Sequence, residues 1–114
     1  MEASPREIRS YQTADGQIPF EEWLDSLRDR TARAKIKNRL RRVESGNLGD
    51  YSPVGEGVCE FRIDYGPGYR VYFKQIGLTI ILLFCGGDKS TQEQDILKAK
   101  KYWRDYERTE STNQ

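Results

Sequence analysis

Histidine is absent from the 114 residues of this chain. That excludes Ser-His-Asp catalysis, His-ligated zinc and a two-histidine ribonuclease mechanism. Cysteine is scarce: Cys59 and Cys85 are too few for a structural zinc site, and both fall in strand-like runs. They read as small buried hydrophobes rather than a disulfide framework. No apolar run reaches membrane-spanning length, since the longest, at 78–85, falls far short of the ~20 residues a span needs. The first twenty residues carry Glu2, Arg6, Glu7, Arg9 and Asp15 and no apolar segment, so no secretory leader is expected. The expected location is the cytoplasm, with no membrane partner. Any catalysis must then rest on Arg, Lys, Tyr, Asp or Glu, and neither a metal nor another cofactor is expected.

The net charge is only +1, but it is unevenly spread. Residues 1–27 sum to −4, residues 28–42 to +7 and residues 43–114 to −2. The positive charge is concentrated in one short segment that includes Arg39 and Arg42. Such a segment suits salt-sensitive contact with an RNA backbone; the alternative is a solvated helix face.

The periodicity predicts one domain over 1–108 and a polar, disordered tail over 109–114. A strand is expected near 8–13. Pro19 opens a helix whose Phe20, Trp23, Leu24 and Leu27 form a buried stripe. After a break at Asp29-Arg30-Thr31, Ala32, Ile36, Leu40 and Val43 form the stripe of a second helix, and the two helices are expected to make an antiparallel hairpin. Gly46 and Gly49 end it, and a polar loop is expected up to Gly57. Strands at about 57–64, 69–76 and 78–85 follow as an antiparallel meander. The last is apolar on both faces and belongs inside the sheet, with the N-terminal strand on its free side. Ser90 and Glu93 fit a capping box for a third helix, with Ile96, Ala99, Trp103 and Tyr106 on its stripe. The fold class is therefore α+β: a mainly antiparallel four-stranded sheet, an N-terminal helical hairpin and a C-terminal helix.

Side chains alternate across a strand. Cys59, Phe61 and Ile63 share one face, with Val71 and Phe73 opposite them. Arg62, Arg70, Tyr72 and Lys74 then project from the other face. Three cations and a phenol on one sheet face suit a polyanion, RNA above all. The plainer reading is the solvated side of a half-exposed sheet.

The run Glu60-Phe61-Arg62-Ile63-Asp64-Tyr65-Gly66-Pro67-Gly68-Tyr69-Arg70-Val71-Tyr72, together with Cys85-Gly86-Gly87-Asp88-Lys89-Ser90-Thr91-Gln92, resembles the RelE/ParE superfamily of bacterial toxins, in its HigB-like, addiction-module killer branch. The resemblance spans about residues 6 to 106. It implies a type II toxin that cleaves mRNA on the ribosome and is held inactive by a small helix-turn-helix antitoxin. Its partners would be that antitoxin, mRNA and the ribosome. The implied catalytic residues are Arg70, which follows Tyr69 at the end of the turn, Arg62 on the preceding strand, and Lys89 just after the last strand. The family often has a lysine where this chain has Glu60, and a tyrosine or histidine near its C-terminal end, where Asp95 aligns. Glu60, Tyr69 and Asp95 are the candidate acid–base groups; Lys74, Tyr72, Arg39 and Arg42 are the candidate RNA contacts. ParE-like relatives share the fold and poison DNA gyrase without catalysis, so a gyrase poison or an inactive antitoxin-binding homologue is the alternative.

Overall fold

The computed structural model describes residues 4–112. Strand β1 (Glu7–Ser10) leads to helices α1 (Pro19–Ser26) and α2 (Arg30–Glu44). Four strands follow: β2 (Tyr51–Gly55), β3 (Val58–Ile63), β4 (Tyr69–Ile76) and β5 (Ile80–Asp88). A 3₁₀ turn at Lys89–Thr91 runs into α3 (Gln92–Thr112). The sheet order is β1-β5-β4-β3-β2. Neighbours are antiparallel except β1, which lies parallel to β5 from Glu7↔Ile80 to Ser10↔Leu83.

The sheet is therefore five-stranded and mixed, not four-stranded. The extra strand, β2, occupies the stretch expected to be a polar loop. Its Pro53 and the Pro53/Gly55 register shift resemble loop composition, and both are tolerated because β2 is an edge strand. The expected helical hairpin also gives way. α1 lies on β5, while α2 lies on β1 and β3, because both apolar stripes face the sheet. Local signals account for the helix starts. Pro19 occupies the first turn of α1, and the Asp29 carboxylate caps α2 by accepting from the Thr31 and Ala32 amides at 2.9 and 3.2 Å. At α3 the Ser90–Glu93 box is replaced by Asp88, whose carboxylate accepts from the Ser90 amide and hydroxyl at 2.8 and 2.5 Å. Those bonds hold the Asp88 carboxyl below its usual pKa. α3 continues to Thr112, four residues into the stretch expected to be a tail; residues 113 and 114 lie outside the described residues.

The sheet is covered on both faces. On one, Phe61, Ile63, Tyr69, Val71, Phe73, Ile81 and Leu83 pack with Phe20, Leu24, Ala32, Ile36 and Val43 of α1 and α2. Phe61 and Phe73 stack with centroids 3.8 Å apart. On the other face, Val58, Tyr72, Leu82, Phe84 and Cys85 pack with Ala99 of α3. Between β4 and β5 the register slips after Tyr72, so Tyr72 pairs with Cys85 and Phe73 with Leu83. The irregularity places Phe84 and Cys85 in the same cluster beneath α3. None of the helices among the described residues is long and apolar enough to cross a membrane.

Candidate functional site

The polar face of the β3–β4 hairpin lies beneath the N-terminal end of α3. Two rows cross the sheet there. One runs Arg62–Arg70–Gly87 and the other Glu60–Tyr72–Cys85. Paired side chains on adjacent strands stand ~4.5–5.5 Å apart at Cβ, so Arg62 and Arg70 are immediate neighbours. The Nε–H groups of both arginines are buried and donate no hydrogen bond among the described residues. Arg62 Nε lies 3.8 Å from Glu60 Oε1 and 3.8 Å from Asp50 Oδ1, which is ion-pair range but too long for a hydrogen bond.

The carboxylates on this face are buried and braced by α3. Glu60 is 5% exposed and accepts from Gln92 Nε2, at 3.1 and 3.4 Å to its two oxygens. Asp95 is 6% exposed and accepts from Thr91 Oγ1 at 2.6 Å. A Cβ on Gly87 would lie 1.9 Å from Asp95 Oδ2, so the carboxylate rests directly on the β5 backbone. The Cys85 thiol, pushed up to about 12 by burial and by the Asp95 charge, faces the Asp95 carbonyl at 3.7 Å. Among the described residues no group of three or more Cys, Asp or Glu side chains is placed to hold a metal ion.

Lys89 is exposed on the 3₁₀ turn, and its stem crosses Gly68 in the β3–β4 turn. Gly66 and Gly68 both have positive φ there, and the Gly68 amide closes the turn on the Tyr65 carbonyl at 3.0 Å. Lys89 thus stands at the rim, beside the Tyr69↔Asp88 pair that follows the arginine row. A second basic feature adjoins Arg62 from the other side: a groove of about 560 Å³ lined by Lys35, Asn38, Arg42, Asp50 and Arg62 between α2 and β3. Lys35 Nζ lies 5.2 Å from the Tyr65 ring centroid.

Several expected site residues lie elsewhere. Tyr72 is fully buried under α3, with its hydroxyl unpartnered among the described residues, so it is not an RNA contact. Burial, then the charges of Glu60 and Asp95, push its phenol far above the usual range. Tyr69 points to the opposite face, edge-on to Trp23 at 6.2 Å, away from the arginine pair. Arg39 is 7% exposed and serves the backbone: it donates to the carbonyls of Leu48 (2.9 Å), Asp50 (2.5 Å) and Arg62 (2.7 Å). Burial and neighbouring Arg42 lower its pKa. Arg39 therefore anchors β3 at Arg62 and the turn before β2 instead of reaching RNA. Lys74 lies on the α3 side with Nζ 4.8 Å from the Trp103 ring centroid, and Arg42 is exposed.

The chain is 48% identical over 83 residues to an uncharacterized protein of Haemophilus influenzae, a match covering 73% of this chain and 84% of that protein. It belongs to the same family. No family model matches the chain.

The residues missed from sequence are Gln92, Thr91 and Asp50, which brace Glu60, Asp95 and Arg62. Gln92 and Asp95 fall three apart at the start of α3 and so share a helix face. That spacing was the available signal, but it points inward only once α3 is known to cover the arginine face.

Proposed function

We propose that the chain is the toxin of a type II toxin–antitoxin module, of the RelE/ParE, HigB-like kind, and that it cleaves mRNA on the ribosome. The observation that carries this reading is the Arg62–Arg70 pair: adjacent in register, with buried Nε groups that hydrogen-bond to nothing among the described residues. Like charges directly opposite on a sheet repel. An anion between them would relieve the repulsion and accept the open donors. A guanidinium fits a phosphate bidentately, and preorganised donors act where charge develops in the transition state.

In this reading the ribose 2′-oxygen attacks the adjacent phosphorus and the 5′-oxygen leaves. The 2′-hydroxyl proton passes to a base, a proton is supplied to the 5′-oxygen, and the product ends in a 2′,3′-cyclic phosphate. No metal takes part. Arg62 and Arg70 hold the phosphate, and Lys89 adds charge at the rim. Glu60, in ion-pair range of Arg62, is the proton-transfer candidate on this face. Arg42 and Lys35 extend the basic surface beside Arg62. A helix-turn-helix antitoxin is the proposed partner that masks this surface.

The second reading is a nonenzymatic one, a ParE-like gyrase poison or an inactive antitoxin-binding homologue. It is favoured by the burial of Tyr69, Tyr72, Glu60 and Asp95, which withdraws all four of these acid–base candidates from solvent. Induction of the chain alone in bacteria separates the two. The nuclease reading predicts arrested translation with cut mRNA; DNA damage with filamentation and intact mRNA would support the gyrase reading.

A further inference from the structure

β1 ends its pairing with β5 at Leu83, so beyond that point one edge of β5 has no neighbouring strand among the described residues. A cleft of about 370 Å³ opens at that edge. It lies between Pro19 and Trp23 of α1 on one face and Thr91, Asp95, Lys98 and Tyr102 on the other. Its floor is the backbone of Gly86 and Gly87. Both glycines are required by close approach: a Cβ on Gly86 would lie 2.3 Å from the Trp23 ring, and one on Gly87 would strike Asp95. The floor stands one strand away from Arg70, because Gly87 is the register partner of Arg70.

The cleft has a particular chemical demand. Asp95 is nine-tenths buried and its Oδ2 takes the Thr91 hydroxyl, while Oδ1 accepts no hydrogen bond among the described residues and keeps enough exposure to meet a group entering the cleft. A buried carboxylate is stabilised only by donors. Lys98, three residues further along the same helix face, is exposed at the rim and joins none of the ion pairs formed among the described residues. The cleft therefore offers an acceptor and a cationic donor side by side, next to an indole and a flat peptide floor.

The geometry points to a guanine-selective nucleobase pocket, in which Asp95 accepts from N1–H and N2–H of the base and Lys98 donates to its O6. This rests on the reading of Arg62 and Arg70 as the phosphate site and names the nucleotide that site receives. Of the four bases only guanine presents two adjacent donors followed by an acceptor. Adenine and cytosine set a ring-nitrogen acceptor beside their amino group, which would face the carboxylate, and uracil flanks its single donor with two carbonyls. Unstacked RNA bases are commonly read in this way, by their pairing edge and an aromatic neighbour.

The test titrates the whole chain with guanosine, adenosine, cytidine and uridine, following the amides of Gly86, Gly87 and Asp95 by NMR. Nucleosides carry no phosphate, so the result does not depend on the arginines. Guanosine is expected to bind about tenfold or more tightly than the other three, a difference one charge-assisted pair supplies. Asp95→Asn should abolish the preference. Lys98→Ala, at an exposed position where folding is not at stake, should weaken guanosine binding about tenfold. Equal binding of the four nucleosides, no shift at Gly86 and Gly87, or an unchanged preference in folded Asp95→Asn would overturn the pocket. Selective guanosine binding by a protein that cuts no mRNA would uphold the pocket and remove the nuclease reading. Cleavage indifferent to guanine, with no nucleoside preference, would do the reverse.

Discussion

Arg62 and Arg70 face each other across β3 and β4, and the described residues offer the Nε of neither a hydrogen-bond acceptor. A site of this kind is stabilised by the anion it binds. Inorganic phosphate should raise the thermal midpoint of the protein in a concentration-dependent way. In Arg70→Ala the rise should be largely lost, while the midpoint without phosphate stays level or increases, because a repulsive pair worth roughly 0.2–1 kcal/mol has been removed. Differential scanning fluorimetry across a phosphate series measures both.

Tyr72 separates burial from catalysis. Its hydroxyl is fully buried and unpartnered among the described residues, and such a group costs about 1–3 kcal/mol. Tyr72→Phe should therefore unfold at equal or higher denaturant concentration than the wild type, and on the proposed reading it retains full toxicity. The phenol's folded pKa lies above its unfolded value, so the protonated form stabilises the fold fully below about pH 10, and this contribution is lost as pH rises from there. Urea unfolding between neutral and strongly alkaline pH should show a shallower loss of stability in Tyr72→Phe.

Arg39 and Arg42 are near neighbours on α2, yet their substitution should have different consequences. Arg39→Ala strands the carbonyls of Leu48, Asp50 and Arg62, and a loss of about 2–4 kcal/mol is expected. Arg39→Lys should not restore it, since one ammonium cannot span the carbonyls that the guanidinium fork reaches. Arg42→Ala should leave stability within about 0.5 kcal/mol and reduce the salt dependence of RNA binding by about one unit of slope. Chemical denaturation and binding to a short RNA at several salt concentrations check the pair.

These contrasts show where sequence reasoning stops. Alternation in 57–64 and 69–76 sorted Phe61, Val71 and Phe73 from Arg62 and Arg70, because the period of a strand is two. The doubly apolar run ending at Cys85 put β5 inside the sheet for the same reason. Alternation does not say whether a polar face meets water or a helix. The sequence places Tyr72 on an open surface, because the polar side chains at the start of α3, Gln92 and Asp95, look solvent-directed there. Pro53 and its neighbouring glycines hid β2. Arg39 read as one more cation in a basic run, since its acceptors are backbone carbonyls, which leave no mark in side-chain composition.

Gly86 and Gly87 are predicted to be intolerant to the smallest side chain. Each sits where another element touches the strand, Trp23 on one face and Asp95 on the other, and a methyl group forces one of them away. Gly87→Ala should cost roughly 1–3 kcal/mol and disturb the start of α3. Thermal unfolding, with amide exchange at Gln92 and Asp95, registers both effects.

The central claim, that the paired arginines form a phosphate-binding catalytic site, is tested most directly with purified protein and translating ribosomes. Primer extension on ribosome-bound mRNA should show cuts by the wild type without added metal. Arg70→Ala, folded by circular dichroism, should lose about 10²–10³ in rate. Cleavage by folded Arg70→Ala at the wild-type rate would contradict the site, and intact mRNA with the wild type, alongside inhibited gyrase supercoiling, would contradict the nuclease reading itself.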